Sequence, residues 1–238
     1  MNLYVYCLVG RTETSPVSVQ GIDGVFVRRL DTEDFSILVS DFPEQAVLVS
    51  RENVLAHASV IQNVLSETTP LPFRFGTLVS HQQLENYLDS RRDAIKAKLD
   101  LVSCCVEMSV KIISDRTSTE EPLASGAPQT PGAAFLSEKR REILGDEARV
   151  AEARSVAEWL QSQVTTLAKE TQITMNPTRK LLVAAAHLIE RDRVEEFRTR
   201  ITEARNQRPG LHFLVSGPWA PYSFANIDLE FKTHFGVS

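Results

Sequence analysis

The chain has 238 residues, of which 42% are hydrophobic and 24% are charged, as is typical of a globular protein. Its net charge is −5, and the acidic excess lies in residues 1–108, which contain 9 basic and 14 acidic residues. Neither part of the chain is basic enough for a nucleic-acid footprint, and an acidic chain gains no attraction to anionic lipids.

The cysteines and the apolar runs indicate where the protein works. Cys7, Cys104 and Cys105 are too few and too irregularly spaced for a zinc site or a disulfide framework, which favours a reduced, cytoplasmic protein. The first ten residues have no basic stretch, and no apolar run approaches the ~20 residues that span a bilayer. We therefore expect neither a signal peptide nor a membrane anchor.

Residues 1–101 predict an N-terminal α+β domain. Residues 3–9 are apolar on both faces, which is typical of a buried central strand, and residues 25–40 predict a β-hairpin. Ser50 and Ser80 are placed to cap two amphipathic helices, the second through a capping box.

Residues 102–238 predict a second domain with an extended C-terminal tail. Up to residue 216 the patterns follow the order β, α, β, β, α, β, which is the ferredoxin-like order. Residues 115–132 are rich in small and polar residues and predict a mobile loop. The helix after this loop is predicted to run to Thr171 with a break at residues 145–146. The sequence thus predicts an α+β fold of two domains, the C-terminal one a modified ferredoxin-like βαββαβ unit.

No group of residues forms a catalytic, cofactor or metal motif. The five histidines are scattered, and the phosphate-binding loop, the dinucleotide fingerprint and the nucleophile elbow are absent. The basic residues of the predicted helices alternate with acidic ones, which is typical of solvated helix faces. We therefore expect a protein that is not an enzyme and has no catalytic residues, no metal and no cofactor.

Two aromatic segments, residues 71–77 and residues 217–224, are unusual. In the first, an arginine lies between two phenylalanines, which is typical either of a core strand with an internal ion pair or of a partner-binding edge. In the second, two prolines keep three aromatic residues extended, which is typical either of a kinked core strand or of a recognition surface. The candidate partner-binding residues are Phe73, Arg74, Phe75, Trp219, Tyr222 and Phe224.

In this order, the two segments resemble motifs of the gas vesicle protein F/L family. The family's Leu-Pro-x-Arg-Phe-Gly-Thr matches residues 71–77, and its Gly-Pro-Trp-x-Pro-Tyr-Ser-Phe matches residues 217–224. Between them, Val-Glu-x-x-Val-Lys at residues 106–111 and Pro-Gly-x-x-Phe-Leu at residues 131–136 also match. The resemblance covers essentially the whole chain, although Phe73 stands where a smaller aliphatic residue is more usual.

The resemblance implies a minor accessory protein of gas vesicles, the gas-filled protein shells that make prokaryotic cells buoyant. Such a protein would lie in the cytoplasm and at the vesicle, and it would help to nucleate or build the shell. Its partners would be the major shell protein and other accessory proteins, without nucleic acid, lipid membrane, catalysis or cofactor. The family's fold would be two α+β domains, the second ferredoxin-like. The alternative is a ferredoxin-like regulatory module that binds a small ligand or RNA.

Overall fold

A computed structural model describes most of the chain, with side chains throughout except in residues 131–146 and 235–236. The described residues are 2–11, 19–114, 131–175, 178, 181–227 and 235–236. Two compact units are present, Met1–Glu107 with Pro218–Ser238, and Met108–Gly217. The predicted domains, 1–101 and 102–238, instead assign the C-terminal segment to the second domain.

The first unit is built on an antiparallel sheet with β1 (Asn2–Gly10) at its centre. The other strands of this sheet are β2 (Arg28–Asp31), β3 (Phe35–Phe42), β5 (Leu71–Pro72) and β6 (Leu78–Ser80). Its strand order is β2-β3-β1-β5, and β6 also pairs with β1. The side chains of residues 3–9 are all buried, which confirms the predicted central strand. Two further short strands of this unit are β4 (Val47–Leu48) and β11 (Phe235–Gly236).

Both predicted helix caps of the first unit are present. Helix α1 (Arg51–Glu67) begins after Ser50, whose Oγ accepts a hydrogen bond from the backbone N of Asn53 at 3.1 Å. Helix α2 (His81–Val102) begins with the reciprocal hydrogen bonds of Ser80 and Gln83. Both helices contact β1, so their apolar stripes complete the core of this unit.

The C-terminal segment adds two short elements to the first unit. Helix α5 (Tyr222–Ala225) contacts β5 and α2. Strand β11 runs parallel to β4, with Phe235 opposite Val47. The end of the predicted tail therefore returns to a strand almost 190 residues earlier in the sequence, a pairing that no local pattern indicates.

The second unit contains a four-stranded sheet and two long helices. Its elements are β7 (Cys105–Ser114), α3 (Pro131–Val164), β8 (Ala168–Thr174), β9 (Leu181–Glu190), α4 (Val194–Gln207) and β10 (Leu211–Trp219). The first three residues of β7 and the last two of β10 are counted with the first unit. This is the predicted order of strands and helices. The order in the sheet is β10-β7-β9-β8, so the two central strands are not neighbours in the sequence.

Helix α3 differs from the prediction in two ways. The predicted break at residues 145–146 is wrong because the helix is continuous, and one glycine in a helix costs only ~1 kcal/mol relative to alanine. The predicted end at Thr171 is also wrong, since β8 already begins at Ala168 and pairs with β9. Backbone pairing with β9 thus overrides the local helical composition. The predicted mobile loop 115–132 lies outside the described residues, except for the first two residues of α3.

Candidate protein-interaction site

The structure divides the six predicted partner-binding residues into buried and exposed groups. All six belong to the first unit. Phe73 and Phe224 are fully buried, so their rings serve the core in this structure. Trp219 is 49% exposed and Tyr222 is 43% exposed, while Arg74 is exposed and Phe75 is half-buried. The aromatic surface available to a partner is therefore smaller than the sequence motifs suggest.

The 71–77 segment combines a short strand with a turn. Its Leu71 and Pro72 pair with β1, and the backbone N of Phe73 donates to the carbonyl of Tyr6 at 2.8 Å. The chain then turns at Gly76, whose φ of +84° lies in the region that favours glycine. Thr77 Oγ1 donates to the carbonyl of Arg74 at 2.7 Å and stabilises this turn.

A buried cluster of aromatic rings packs against this turn. Tyr4 Oη lies 2.8 Å from His57 Nδ1 and accepts a hydrogen bond from the backbone N of Gly76 at 3.2 Å. The Phe75 ring packs edge-on against both Tyr4 and His57, with centroids 6.4 and 5.9 Å apart. Burial lowers the pKa of His57 to about 4, so the imidazole is neutral at physiological pH. The side chains that pack beneath the turn are thus buried and uncharged.

The 217–224 segment passes from β10 into the short helix α5. Tyr222 lies in its first turn, with its backbone N donating to the carbonyl of Ala220 at 2.8 Å. Burial raises the pKa of the Tyr222 hydroxyl, and the neighbouring Cys7 and Glu107 raise it further. The hydroxyl end of Tyr222 therefore points toward the interior, although 43% of the residue's surface remains exposed.

Glu107 anchors this segment. Its two carboxylate oxygens accept hydrogen bonds from the backbone N and the hydroxyl of Ser223, both at 2.8 Å. Glu107 is only 8% exposed, and burial raises its pKa while the two bonds from Ser223 lower it. Sequence reasoning did not assign this role to Glu107. The available signal was an acidic residue between apolar neighbours of a buried strand.

The structure brings the two aromatic segments together. Helix α5 contacts β5, so the 217–224 segment packs beside the 71–77 segment. Both segments also bind α2. Phe73 packs against the Tyr87 ring with centroids 6.5 Å apart, and the Tyr87 hydroxyl donates to the carbonyl of Ile227. Lys98 Nζ donates to the carbonyl of Phe224 at 3.2 Å. Two motifs separated by about 140 residues thus form one continuous packed region.

This region combines exposed and buried aromatic rings. Trp219 and Tyr222 are half-exposed, whereas Phe73 and Phe224 of the same two segments are fully buried. Within the described part of the chain, no three His, Cys, Asp or Glu side chains are placed to hold a metal ion. No helix of the described residues is long and apolar enough to cross a membrane.

Sequence comparison finds relatives along nearly the full chain. Gas vesicle protein F1 of Halobacterium salinarum is 23% identical over 235 residues, which cover 96% of this chain and 94% of that protein. Gas vesicle protein F of Dolichospermum flosaquae is 24% identical, and the match covers 95% of this chain and 98% of that protein. Gas vesicle protein L of a Streptomyces species is 26% identical, and the match covers 95% of this chain and 94% of that protein. Relatives named F and relatives named L are thus similarly distant.

Two crystal structures share the fold. The gas vesicle protein GvpF from Anabaena sp. PCC7120 superposes with a TM-score of 0.79 at 20% identity, over 94% of this chain and 98% of that chain. GvpF from Microcystis aeruginosa gives a TM-score of 0.73 at 22% identity, over 94% and 99%. A family model described as gas vesicle synthesis protein GvpL/GvpF matches residues 2–226. The chain therefore belongs to the GvpL/GvpF family of gas vesicle synthesis proteins.

Proposed function

We propose that this protein is an accessory factor that binds the major gas vesicle shell protein and helps to nucleate or build the shell. Membership of the GvpL/GvpF family supports the association with gas vesicles. The observation that carries the finer proposal is the pair of half-exposed rings, Trp219 and Tyr222, held in a packed region of the first unit. Other gas vesicle accessory proteins are further partners under this proposal, and the site of action is the cytoplasm and the vesicle.

The mechanism under this proposal is apolar and shape complementarity. A subunit of a gas-filled wall needs an apolar surface, and a factor that captures it before assembly needs exposed aromatic area on a folded body. Trp219 and Tyr222 supply such area, because an aromatic side chain buries about 150–250 Å² while losing few rotamers. Aromatic residues are also enriched among the residues that dominate binding energies.

The six candidate residues take different roles under this proposal. Trp219, Tyr222 and the exposed Arg74 contact the partner, together with the accessible part of Phe75. The buried Phe73 and Phe224 hold the two segments in place. Binding and positioning are thus separable by mutation, because the contact residues are half-exposed and the anchors are not.

We further propose that the second unit is a modified ferredoxin-like domain. Its element order, β-α-β-β-α-β, and its sheet order, β10-β7-β9-β8, support this assignment. The two helices contact each other, and each contacts the central strand β9. The alternative of an RNA-binding module is not favoured, since the central strands β7 and β9 contain no Phe, Tyr or Trp for base stacking.

Co-expression with the major gas vesicle shell protein tests the proposed function. This protein is captured by an affinity tag, and the shell protein retained after low-salt and high-salt washes is measured. We expect retention through high salt, because salt screens charge pairs but strengthens apolar contacts. The absence of retention at both salt concentrations would contradict the proposal.

A double variant tests the assigned surface in the same experiment. Trp219→Ala with Tyr222→Ala should reduce the retained shell protein about tenfold or more, as expected for the loss of central aromatic contacts. Phe26→Ala is the matched control, because Phe26 is an aromatic residue of the same unit that is 64% exposed. Equal retention by the double variant and the wild type would show that these two rings are not the contact surface.

A further inference from the structure

Two cations of helix α2 are paired with acidic residues, and a third is not. Lys96 Nζ lies 2.8 Å from Asp34 Oδ1, and Arg92 Nη1 lies 3.0 Å from Glu33 Oε2. These pairs join α2 to the turn between β2 and β3. Lys98, two residues further along the helix, forms no ion pair in the part of the chain that the structure describes. Its charge is therefore not compensated as the charges of Lys96 and Arg92 are.

The ammonium group of Lys98 lies at the C-terminal end of helix α5. Its Nζ donates to the carbonyl of Phe224 at 3.2 Å, and the Lys98 side chain is half-buried. A carbonyl satisfies one of the three N–H donors of an ammonium group but does not neutralise its charge. A charge that is partly removed from water without an opposite charge is unfavourable, and a carboxylate bound beside it offsets that cost.

This position places the charge next to the two half-exposed rings. Helix α5 has four residues, so Phe224 lies only about half a helical turn beyond Tyr222. Trp219 precedes Tyr222 by three residues in the same segment. Lys98, Trp219 and Tyr222 all belong to the first unit. The ammonium group thus lies at one end of the short segment that carries both exposed rings.

The local charge is opposite in sign to the charge of the chain around it. Residues 1–108 contain 9 basic and 14 acidic residues. In contrast, residues 71–77 contain the exposed Arg74 and no acidic residue, and residues 217–224 contain no charged residue. Glu107 is only 8% exposed, and both of its oxygens accept hydrogen bonds from Ser223. An acidic unit therefore combines cations with aromatic rings at this place.

We propose that Lys98 binds a carboxylate of the major gas vesicle shell protein, beside the apolar residues that contact Trp219 and Tyr222. The identity of the partner rests on the proposed function. Charge complementarity supports this occupant, because the ammonium group favours an acidic side chain while the rings favour apolar ones. The captured segment is thus one that carries Asp or Glu among apolar residues. A basic residue at the same place would be repelled by Lys98.

The test compares how the retention of the shell protein depends on salt. Salt screens a pair of charges but does not weaken apolar contacts. For each variant, the amount retained at low salt is divided by the amount retained at high salt. Lys98→Gln removes the charge but keeps a hydrogen-bond donor, so this ratio should be about threefold lower than in the wild type. Lys98→Arg keeps the charge and should keep the wild-type ratio.

Lys96→Gln is the matched control. It removes the same charge from the same helix, two residues away, but from a side chain that pairs with Asp34. Its ratio should equal that of the wild type. An equal fall of the ratio in Lys96→Gln and Lys98→Gln would assign the effect to the overall charge of the protein and overturn the inference.

The outcomes separate this inference from the proposed function. If the ratio is unchanged in Lys98→Gln, or falls as much in Lys98→Arg, the inference is overturned and the proposed function stands. An equal fall of retention at both salt concentrations in Lys98→Gln has the same meaning, because it reports the altered bond to Phe224 and not a lost charge pair. A thermal melt checks the fold, and Lys98→Met replaces Lys98→Gln if the latter unfolds.

If the wild type retains no shell protein at either salt concentration, the proposed function fails, and a pair of peptides decides the inference. Both peptides have about eight residues with leucine at alternate positions and a neutral fluorescent label, and they differ in one central residue, Glu or Gln. Binding of the Glu peptide that is about threefold tighter in the wild type, but not in Lys98→Gln, supports the inference. Equal binding of the two peptides, or no saturable binding up to about 1 mM, overturns it.

Sedimentation of the protein by itself tests whether a second copy supplies the carboxylate. We expect Lys98→Gln to leave the oligomeric state unchanged. A wild-type dimer that Lys98→Gln converts to a monomer would assign the carboxylate to a second copy of this chain and overturn the inference.

Discussion

Glu107 and Ser223 are 116 residues apart in the sequence, and the side chain of Glu107 accepts hydrogen bonds from the backbone and the hydroxyl of Ser223. Glu107 Oε2 accepts from the backbone N of Ser223 and Oε1 accepts from its hydroxyl, both at 2.8 Å. The pair fixes helix α5, and with it the exposed Tyr222, to the first residues of β7. A buried carboxylate with two short hydrogen bonds is thus the direct structural support of the proposed contact surface.

Removing the Glu107 carboxylate should destabilise the protein. In Glu107→Ala, the N–H and hydroxyl of Ser223 lose their acceptors in a largely buried site, so we expect the free energy of unfolding to fall by about 1–3 kcal/mol. Glu107→Gln keeps one acceptor and adds a donor for the hydroxyl, so its change should stay below about 1 kcal/mol. Urea denaturation at pH 7 measures both, with Lys111→Ala at an exposed position of β7 as control. Similar losses in the Ala and Gln variants would contradict the hydrogen-bonding role.

The contribution of Glu107 to the stability of the protein should also depend on pH. Burial raises the pKa of Glu107 in the folded state, so the proton binds more tightly there than in the unfolded chain. The resulting stabilisation is fully present below the ordinary glutamate pKa and is lost as pH rises through the raised pKa. The free energy of unfolding of Glu107→Gln minus that of the wild type should therefore increase as the pH rises. A stability difference that is constant between pH 4 and pH 8 would contradict this.

Truncation of a buried ring should lower the free energy of unfolding much more than truncation of an exposed ring. Phe224→Ala removes a fully buried ring and should lower the free energy of unfolding by about 3–5 kcal/mol. Trp219→Ala truncates a half-exposed ring and should change it by less than about 1 kcal/mol. Urea denaturation followed by circular dichroism provides the comparison. A large loss of stability in Trp219→Ala would show that this ring serves the core, and would remove it from the contact surface.

Gly21 should not tolerate a side chain. A Cβ at this position would lie 1.9 Å from Tyr6 Oη, which itself accepts a hydrogen bond from the backbone N of Ile22 at 2.9 Å. Tyr6 is fully buried and its ring carbon Cζ would also lie only 2.7 Å from the added Cβ, so Gly21→Ala should lower the free energy of unfolding by about 1–3 kcal/mol. Gly10→Ala is the control, since a Cβ there meets no atom within 4 Å.

The cause of the Gly21 effect is testable in a second background. In Tyr6→Phe, the clashing oxygen is gone, so adding Gly21→Ala should cost less than it does in the wild type. An equal cost in both backgrounds would assign the effect to the Tyr6 ring, whose Cζ lies 2.7 Å from the added Cβ, or to the backbone of Gly21, rather than to the tyrosine hydroxyl.

Two buried histidines predict a loss of stability in mild acid. Burial lowers the pKa of His57 and of His187 to about 4, whereas the unfolded value is about 6.5. For a base with a lowered folded pKa, the unfolded state binds more protons, so stability is present above pH 6.5 and is lost as pH falls toward 4. Between pH 7 and pH 5 each histidine should contribute a loss of about 2 kcal/mol.

Single variants assign this acid sensitivity to each unit. His57→Gln should reduce the pH dependence of unfolding in the first unit, and His187→Gln should do so in the second. Histidine proton resonances followed by NMR from pH 7 to pH 4 give the folded pKa values directly. Titration of either imidazole near 6.5 in the folded protein would contradict its buried, neutral state.

Much of the local structure could be predicted because its signals are local. Ser50 and Ser80 begin helices since their hydroxyls accept bonds from backbone N–H groups only three residues away. The buried strands β1 and β9 are recognisable because their apolar residues continue without alternation. In contrast, β8 has a helical composition and forms a strand only because β9 lies beside it.

The candidate site could be predicted only in part. The aromatic motifs identified the two segments, but burial of Phe73 and Phe224 and exposure of Trp219 depend on contacts with residues far away in the sequence. The assignment of residues 218–238 to the first unit follows from the packing of α5 on β5 and α2, and from the pairing of β11 with β4. No composition or spacing in the segment itself indicates those partners.

The sequence alone determined the α+β composition, the starts of α1 and α2, the order of elements from β7 to β10 and the family motifs, because each depends on a pattern within a few residues. The tertiary structure decided which aromatic rings face solvent, which carboxylate holds Ser223, and which lysine of α2 lies at the end of α5. These properties belong to pairs of residues more than 100 positions apart. They arise only when the chain packs, because burial is a property of the neighbours that surround a side chain and not of the side chain itself.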